Sequence, residues 1–171
     1  MKAGPRYHVK PRRQRLGRTD YRRRLSLLRS RKTRIVVRKS IKNTRVQFVE
    51  YYQTGDKILV YAVSDELVKH YHWKYSAATT PAAYLTGLLA GTKAKEQGIT
   101  EGVLDIGRYN PTKGSKLFAV VKGVVDAGID CPCDEEMLPS EDRLMGKHLN
   151  KDIEHHVLDI KQKIIGAAKN D

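Results

Sequence analysis

Arg12, Arg13, Arg15 and Arg18, followed by Arg22, Arg23 and Arg24, put seven guanidinium groups within 13 residues. The chemistry such a run offers is anion recognition. Each guanidinium is a planar fork of donors that can grip a phosphate at two points or stack on a base. The cations continue through Arg29, Arg31, Lys32 and Arg34, then Arg38, Lys39, Lys42 and Arg45. Residues 1–45 hold 18 Lys or Arg against one acid, Asp20, while the whole chain nets +14. Charge segregated this way opposes folding by self-repulsion and is relieved by a polyanion, so nucleic acid is the expected partner. Tyr7, His8 and Tyr21 lie among the cations and offer rings for stacking on unpaired bases, a mode common with RNA. There is no zinc-finger spacing, and the basic stretch has neither a dimerising heptad nor a homeodomain context, so structured RNA fits better than DNA.

Other constellations are weaker. Lys42, Asn43 and Arg45 sit at a hairpin tip next to Arg38 and Lys39, where turn chemistry and RNA contact compete. Arg108, Lys113 and Lys116 surround the start of a helix, whose free amides favour an anion. A nucleotide-binding Walker loop would need Gly where Thr112 stands, so no nucleotide cofactor is expected. Cys131 and Cys133, separated by Pro132, form a poor zinc pair even if His148, His155 or His156 joined them, and read as ordinary thiols. Glu50, Asp105 and Asp126 have no two-metal nuclease spacing, and Asp105 reads equally as a capping or salt-bridge residue. We therefore expect no catalysis, metal, cofactor or small-molecule substrate.

The elements that must carry these groups follow from periodicity. Residues 1–18 contain Pro, Gly and seven cations with little apolar area, which predicts an arm disordered on its own. Thr19 or Asp20 can cap a helix whose Tyr21, Leu25 and Leu28 make an apolar face. RIVVRKS, TRVQFVEYY and KILVYAVS read as a three-stranded antiparallel meander, with turns at Lys42-Asn43 and Thr54-Gly55-Asp56. In the third strand, Ile58, Val60 and Ala62 are expected to share one face. A short helix follows Ser64, and Thr80 with Pro81 opens a longer one that Gly98 stops. Its Gly87 and Gly91 suggest close approach to a sheet. VLDIG reads as a buried strand added by a crossover, and Leu117, Val120, Val121, Val124 and Val125 line the helix after it. A short polar helix from Ser140 precedes a last helix in which Ile153, Val157, Ile160 and Ile164 make a stripe too thin to be its own core. The fold class is α/β: the meander and added strand with helices packed on them, an extended basic N-terminal arm and a helical C-terminal extension. The expected divisions are a basic arm and helix over 1–33, an α/β domain over 34–130 and a helical extension over 131–171. No stretch of about 18 apolar residues exists, so a membrane is not an expected partner.

Several stretches in order, TDYRRRLSLLRS with RIVVRKS, TPAAYLTGLLAG, LDIGRYNPTKGS, VVKGVVDAGI and PSEDRLMGKHL, resemble the archaeal members of the ribosomal L18 family, the large-subunit proteins that bind 5S rRNA. The likeness runs over about residues 6–149, leaving the last 20 or so outside it. It implies a structural constituent of the cytoplasmic ribosome that binds 5S rRNA and helps attach it to 23S rRNA in the central protuberance. By position it implies RNA contacts from the arm arginines, the first hairpin, Lys113 and Lys116, and the Thr79-Thr80 helix start. The final stripe then suggests docking onto a neighbouring ribosomal protein or RNA.

Overall fold

The computed structural model describes residue 4, residues 7–149 and residues 151–167. The outer ends of the expected arm and C-terminal extension, with Pro5 of the arm, lie outside the described residues. The class is α/β, with a four-stranded mixed sheet. Strands β1 (Arg34–Lys39), β2 (Thr44–Tyr52) and β3 (Gly55–Val63) pair antiparallel, while β4 (Val103–Asp105) pairs parallel with β1, giving the order β3-β2-β1-β4. Arg34 lies opposite Val49 on one side and Val103 on the other. Tyr52 pairs with Gly55, so the second turn is shorter than expected and Asp56 belongs to β3.

The core lies on one face of the sheet. Ile35 and Val37 of β1, Val46 and Phe48 of β2, and Val60 and Ala62 of β3 are buried there against α4 (Thr80–Glu96). Helix α4 is central rather than amphipathic, with 14 of its 17 residues buried. Its cap is Thr79, not Thr80: the Thr79 hydroxyl accepts from the Ala82 amide, which makes Thr80 the first helical residue and buries it.

Gly87 and Gly91 face α5 (Lys116–Asp126), not the sheet. A Cβ on Gly87 would overlap the Val120 carbonyl, and one on Gly91 would lie 2.5 Å from Ala127 Cβ. Gly123 completes the crossing from the α5 side. Backbone-to-backbone approach at these glycines lets the two helices lie closer than any side chain would permit. Val125, expected in the α5 stripe, points outward and is exposed.

On β3 and α2 the buried face differs from the expected one. The β2–β3 pairing carries a bulge, Phe48 pairing with Val60 and Val49 with Ile58, so Leu59 is the extra residue. Leu59 packs on the core, while Ile58 moves to the opposite face and is half exposed. In α2 (Tyr21–Arg29), Tyr21 and Leu25 are exposed, and Arg24 and Leu27 turn toward the body instead.

Helices α3 (Ser64–Tyr71) and α6 (Glu141–Met145) are short, and α7 (Lys151–Ala167) closes the outer side of α4. Ile153, Val157, Ile160 and Ile164 are all buried in the single core of this chain. The stripe thus docks on the chain's own body, not on an external partner. It is too thin to be a core alone but sufficient as a third layer, each buried aliphatic contributing about 1.5–3 kcal/mol. His156 of α7 stacks on Trp73 with ring centroids 5.4 Å apart, and Tyr75 meets Trp73 edge-on. Lys161 of α7 lies over the Tyr84 ring, whose hydroxyl donates to Asp126 of α5 at 2.7 Å. Burial and that bond push the Tyr84 phenol far above its ordinary range, so it stays a neutral donor. Among the described residues, no helix is long and apolar enough to cross a membrane.

Candidate nucleic-acid interface

The second face of the sheet is where the cations gather. The four-residue helix α1 (Arg12–Arg15) and α2 lie over it, joined through Gly17 at φ +65°. Asp20, the one acid of the front segment, caps α2: its carboxylate accepts from the Arg22 and Arg23 amides at 3.0 and 3.2 Å. Both amides bond Oδ1, and the other oxygen reaches one guanidinium, Arg23, at 3.6 Å, so a single acid faces the whole arginine run.

An ion-pair network fastens α2 to the sheet. Arg24 Nη2 lies 2.7 Å from Asp56 Oδ1, and Arg34 Nη2 lies 2.7 Å from Asp56 Oδ2. Arg34 Nη1 reaches Asp105 Oδ2 at 3.1 Å, and Arg38 Nη2 reaches Asp105 Oδ1 at 3.1 Å. Asp105 also accepts from the Gly107 amide at 2.8 Å. Partial burial raises the proton affinity of Asp56, but the guanidinium groups of Arg24 and Arg34 outweigh it and hold the carboxyl below its ordinary range. The same pairing raises Arg24.

Arg34 therefore stands apart from the other predicted contacts. Its side chain is 3% exposed and sits between two internal carboxylates, so it cannot also face an RNA backbone. Its Nε has no hydrogen-bond partner among the described residues, and its contact with Asp56 is out of line for a directional bond. Toward Asp56 the hub holds by charge, and toward Asp105 by the directional bond from Nη1.

Three predicted segments converge at the end of β1 and β4. Tyr109 donates its hydroxyl to the Lys39 carbonyl at 2.7 Å, and Lys39 Nζ sits over the Tyr109 ring. Arg108 donates to the Gly17 carbonyl of the arm. The first hairpin, the loop before α5 and the arm thus form one surface. At the hairpin tip, Ser40 Oγ accepts from the Asn43 amide, leaving Lys42 and Ile41 fully outward.

The predicted residues divide by their partners. Among the described residues, Arg12, Arg15, Arg18, Arg22, Arg29, Arg31, Lys42 and Arg45 have no carboxylate partner. Arg13 donates to the Thr19 hydroxyl, and Arg23 makes a 3.6 Å exposed pair with Asp20 and a long, 3.5 Å bond to the Gly107 carbonyl. Tyr7, His8 and Tyr21 are exposed. Lys32 is paired with Glu101, and Lys113 lies 2.5 Å from Glu136, both at the surface, where such pairs exchange readily for a phosphate. Lys116 opens α5. Thr79 is drawn into a separate cluster, its hydroxyl donating to the Ser76 carbonyl that also receives Trp73 Nε1. Thr80 is buried and offers no RNA contact.

The nuclease candidates do not share a site. Asp105 holds arginines, Asp126 holds Tyr84 and Lys122, and Glu50 accepts from Tyr52 on the exposed strand. Burial raises the Cys131 thiol to about 11, and Cys133 is also raised, so neither is a ready thiolate. Sequence reasoning missed Asp56 as the carboxylate that anchors α2, because it was read as a turn residue; its place directly before the KILVYAV run of β3, four residues after the β2 end, was the available signal.

A family model for ribosomal large subunit proteins 60S L5 and 50S L18 matches residues 5–98. The large ribosomal subunit protein uL18 of Korarchaeum cryptofilum (strain OPF8) is 53% identical over 149 residues, covering 87% of this chain and 76% of that protein. This chain belongs to the uL18 family. The protein of the same name from Aeropyrum pernix is 47% identical over 149 residues, covering 87% of this chain and 70% of its own. The uL18 family is structural and without catalysis, which agrees with the dispersal of the acids. In this uL18-family chain the matched span takes in the whole arm helix, the sheet strands β1 to β3, and α4.

Proposed function

We propose that this chain is the constituent of the large ribosomal subunit that binds 5S rRNA and helps attach it to 23S rRNA in the central protuberance. Membership of the uL18 family makes it a ribosomal protein of the large subunit, working in translation within the cytoplasmic ribosome. The finer reading rests on one observation. Of the cations crowding residues 10–45, most have no internal carboxylate, and both the arm and the first hairpin meet the Arg108–Lys116 loop, through Gly17 with Arg108 and Lys39 with Tyr109.

That surface suits a folded RNA. Arm and hairpin supply separated rows of guanidinium groups for phosphates, and the exposed Tyr7 and Tyr21 offer rings for unpaired bases. The sheet and α4–α5 supply the rigid platform. Lys113, in a surface pair with Glu136, and Lys116, at the start of α5, are cations outside the arm that a second RNA such as 23S rRNA can engage. The remaining exposed surface of the body is left for neighbouring large-subunit proteins.

The test is competition. The chain should retain an archaeal 5S rRNA transcript against a large excess of transfer RNA, and deleting residues 1–33 should cut that affinity by orders of magnitude while the body still melts cooperatively. Equal displacement by transfer RNA would instead describe a general RNA chaperone.

A further inference from the structure

Helix α2 does not seal against the sheet. None of its residues is buried, and beneath it lies a cleft of about 600 Å³. That is within the range of sites that enclose a small ligand, about 300–1,000 Å³. Its floor is the second sheet face, where Ile58 of β3 is half exposed and Val36 and Val49 lie deeper, 9% and 5% exposed. The bulge at Leu59 is what delivers Ile58 there. Between them sits Gln47, opposite Val36, whose side-chain amide has no hydrogen-bond partner among the described residues.

The rim has the opposite character. Seven arginines and three aspartates line the cleft among the described residues, Arg34 and Asp105 buried in its wall, and the aspartates are consumed internally: Asp20 by α2 amides, Asp56 and Asp105 by Arg24, Arg34 and Arg38. Arg18 has no partner, and Arg23 and Arg108 reach only weak or backbone acceptors. The cleft therefore joins an apolar contact at Ile58, one free amide and a cationic lip. A nucleotide presents the complement of all three: a π face, a hydrogen-bonding base edge and a phosphate.

We infer that this cleft receives one unstacked nucleotide of the bound RNA. Its base lies against Ile58, above the deeper Val36 and Val49, with the Gln47 amide at its edge, and its phosphate meets Arg18 and Arg23. The inference rests on the RNA-binding reading and adds a pocket to what is otherwise a backbone contact. Such a pocket distinguishes an RNA with a flexible, unpaired base at this position from a continuous duplex.

The experiment uses the full chain with labelled Ile and Val methyl groups and an archaeal 5S rRNA transcript. On titration the Ile58, Val36 and Val49 methyls should shift through the ring current of the base. Ile58→Trp fills the cleft from a half-exposed position and should weaken 5S binding about tenfold or more, with circular dichroism retained. Gln47→Glu, isosteric and independent of Ile58→Trp folding well, should do the same by placing a negative charge at the base edge. Full-affinity 5S binding with these methyls unmoved, or with both variants unaffected, overturns the inference and leaves RNA binding intact. So does a shift produced by adenosine monophosphate or a polyglutamate peptide but not by the RNA. No 5S binding by the wild-type chain overturns the inference and the function proposed above together.

Discussion

Replacing Gly123 by Ala tests the α4–α5 crossing that supports the platform. The added Cβ would overlap the Tyr84 carbonyl oxygen and lie 2.7 Å from the Leu88 amide nitrogen. Both are backbone atoms of α4, so no rotamer change relieves the contact, and α4 is hemmed in by the sheet on one side and α7 on another. Overpacking of this kind costs about 1–3 kcal/mol, and here the obstacle is rigid, which favours the upper half. Better helix propensity returns up to about 1 kcal/mol. The net expectation is a loss of about 1–2 kcal/mol, or a fall in Tm of roughly 3–8 °C for a chain of this size. Gly166→Ala is the matched control, because a Cβ there meets nothing within 4 Å. It should be neutral or stabilising by up to about 1 kcal/mol. Urea and thermal unfolding followed by circular dichroism measure both. A Gly123→Ala chain as stable as wild type, or a Gly166→Ala chain equally damaged, would refute the close-crossing argument.

Other consequences concern the network under α2. Arg34→Met removes the hub while leaving Asp56 with Arg24 and Asp105 with Arg38, so unfolding should be easier by about 2–4 kcal/mol, at or below the usual range for orphaning a buried charge. Calorimetry should register that loss while the salt dependence of RNA binding by the folded chain stays unchanged. Acid should weaken the same network. Asp56 binds a proton less readily in the folded chain than at its ordinary 3.8, so its contribution is complete above that value and disappears as pH falls through the lower, native one. Urea melts at pH 6 and pH 3 should therefore differ less for Asp56→Asn than for wild type; an equal difference would remove Asp56 from the account.

Much of the α/β class was legible because β-branched alternation and helical stripes are local signals. β1, β2 and β3 show runs of Val, Ile and aromatic residues, and α5 carries its Val stripe. What was not legible depends on partners distant in sequence. Gly87 and Gly91 announce a close approach, yet only the fold reveals that the neighbour is Val120 to Ala127. Period-two alternation put Ile58 with Val60, and one bulge residue reversed it. Arg34 looked like any other cation of its run until Asp56 and Asp105 closed on it from β3 and β4. The α7 stripe signalled burial without naming the surface. For the interface, the charge of the group was plain from the sequence, whereas the division into free and internally paired cations was not.

Contact between the unpaired front cations and phosphates makes 5S rRNA binding salt-dependent, and titration over a range of salt concentrations measures that dependence. With about six phosphates neutralised, log Kobs against log salt should have a slope near −5, between the single-strand and duplex limits. Replacing Arg15, Arg18 and Arg22 together by Gln should flatten that slope by about three, one for each lost contact, and weaken binding accordingly. A slope near zero for the wild-type chain, or the same slope and affinity after the triple replacement, would contradict phosphate contact by these cations.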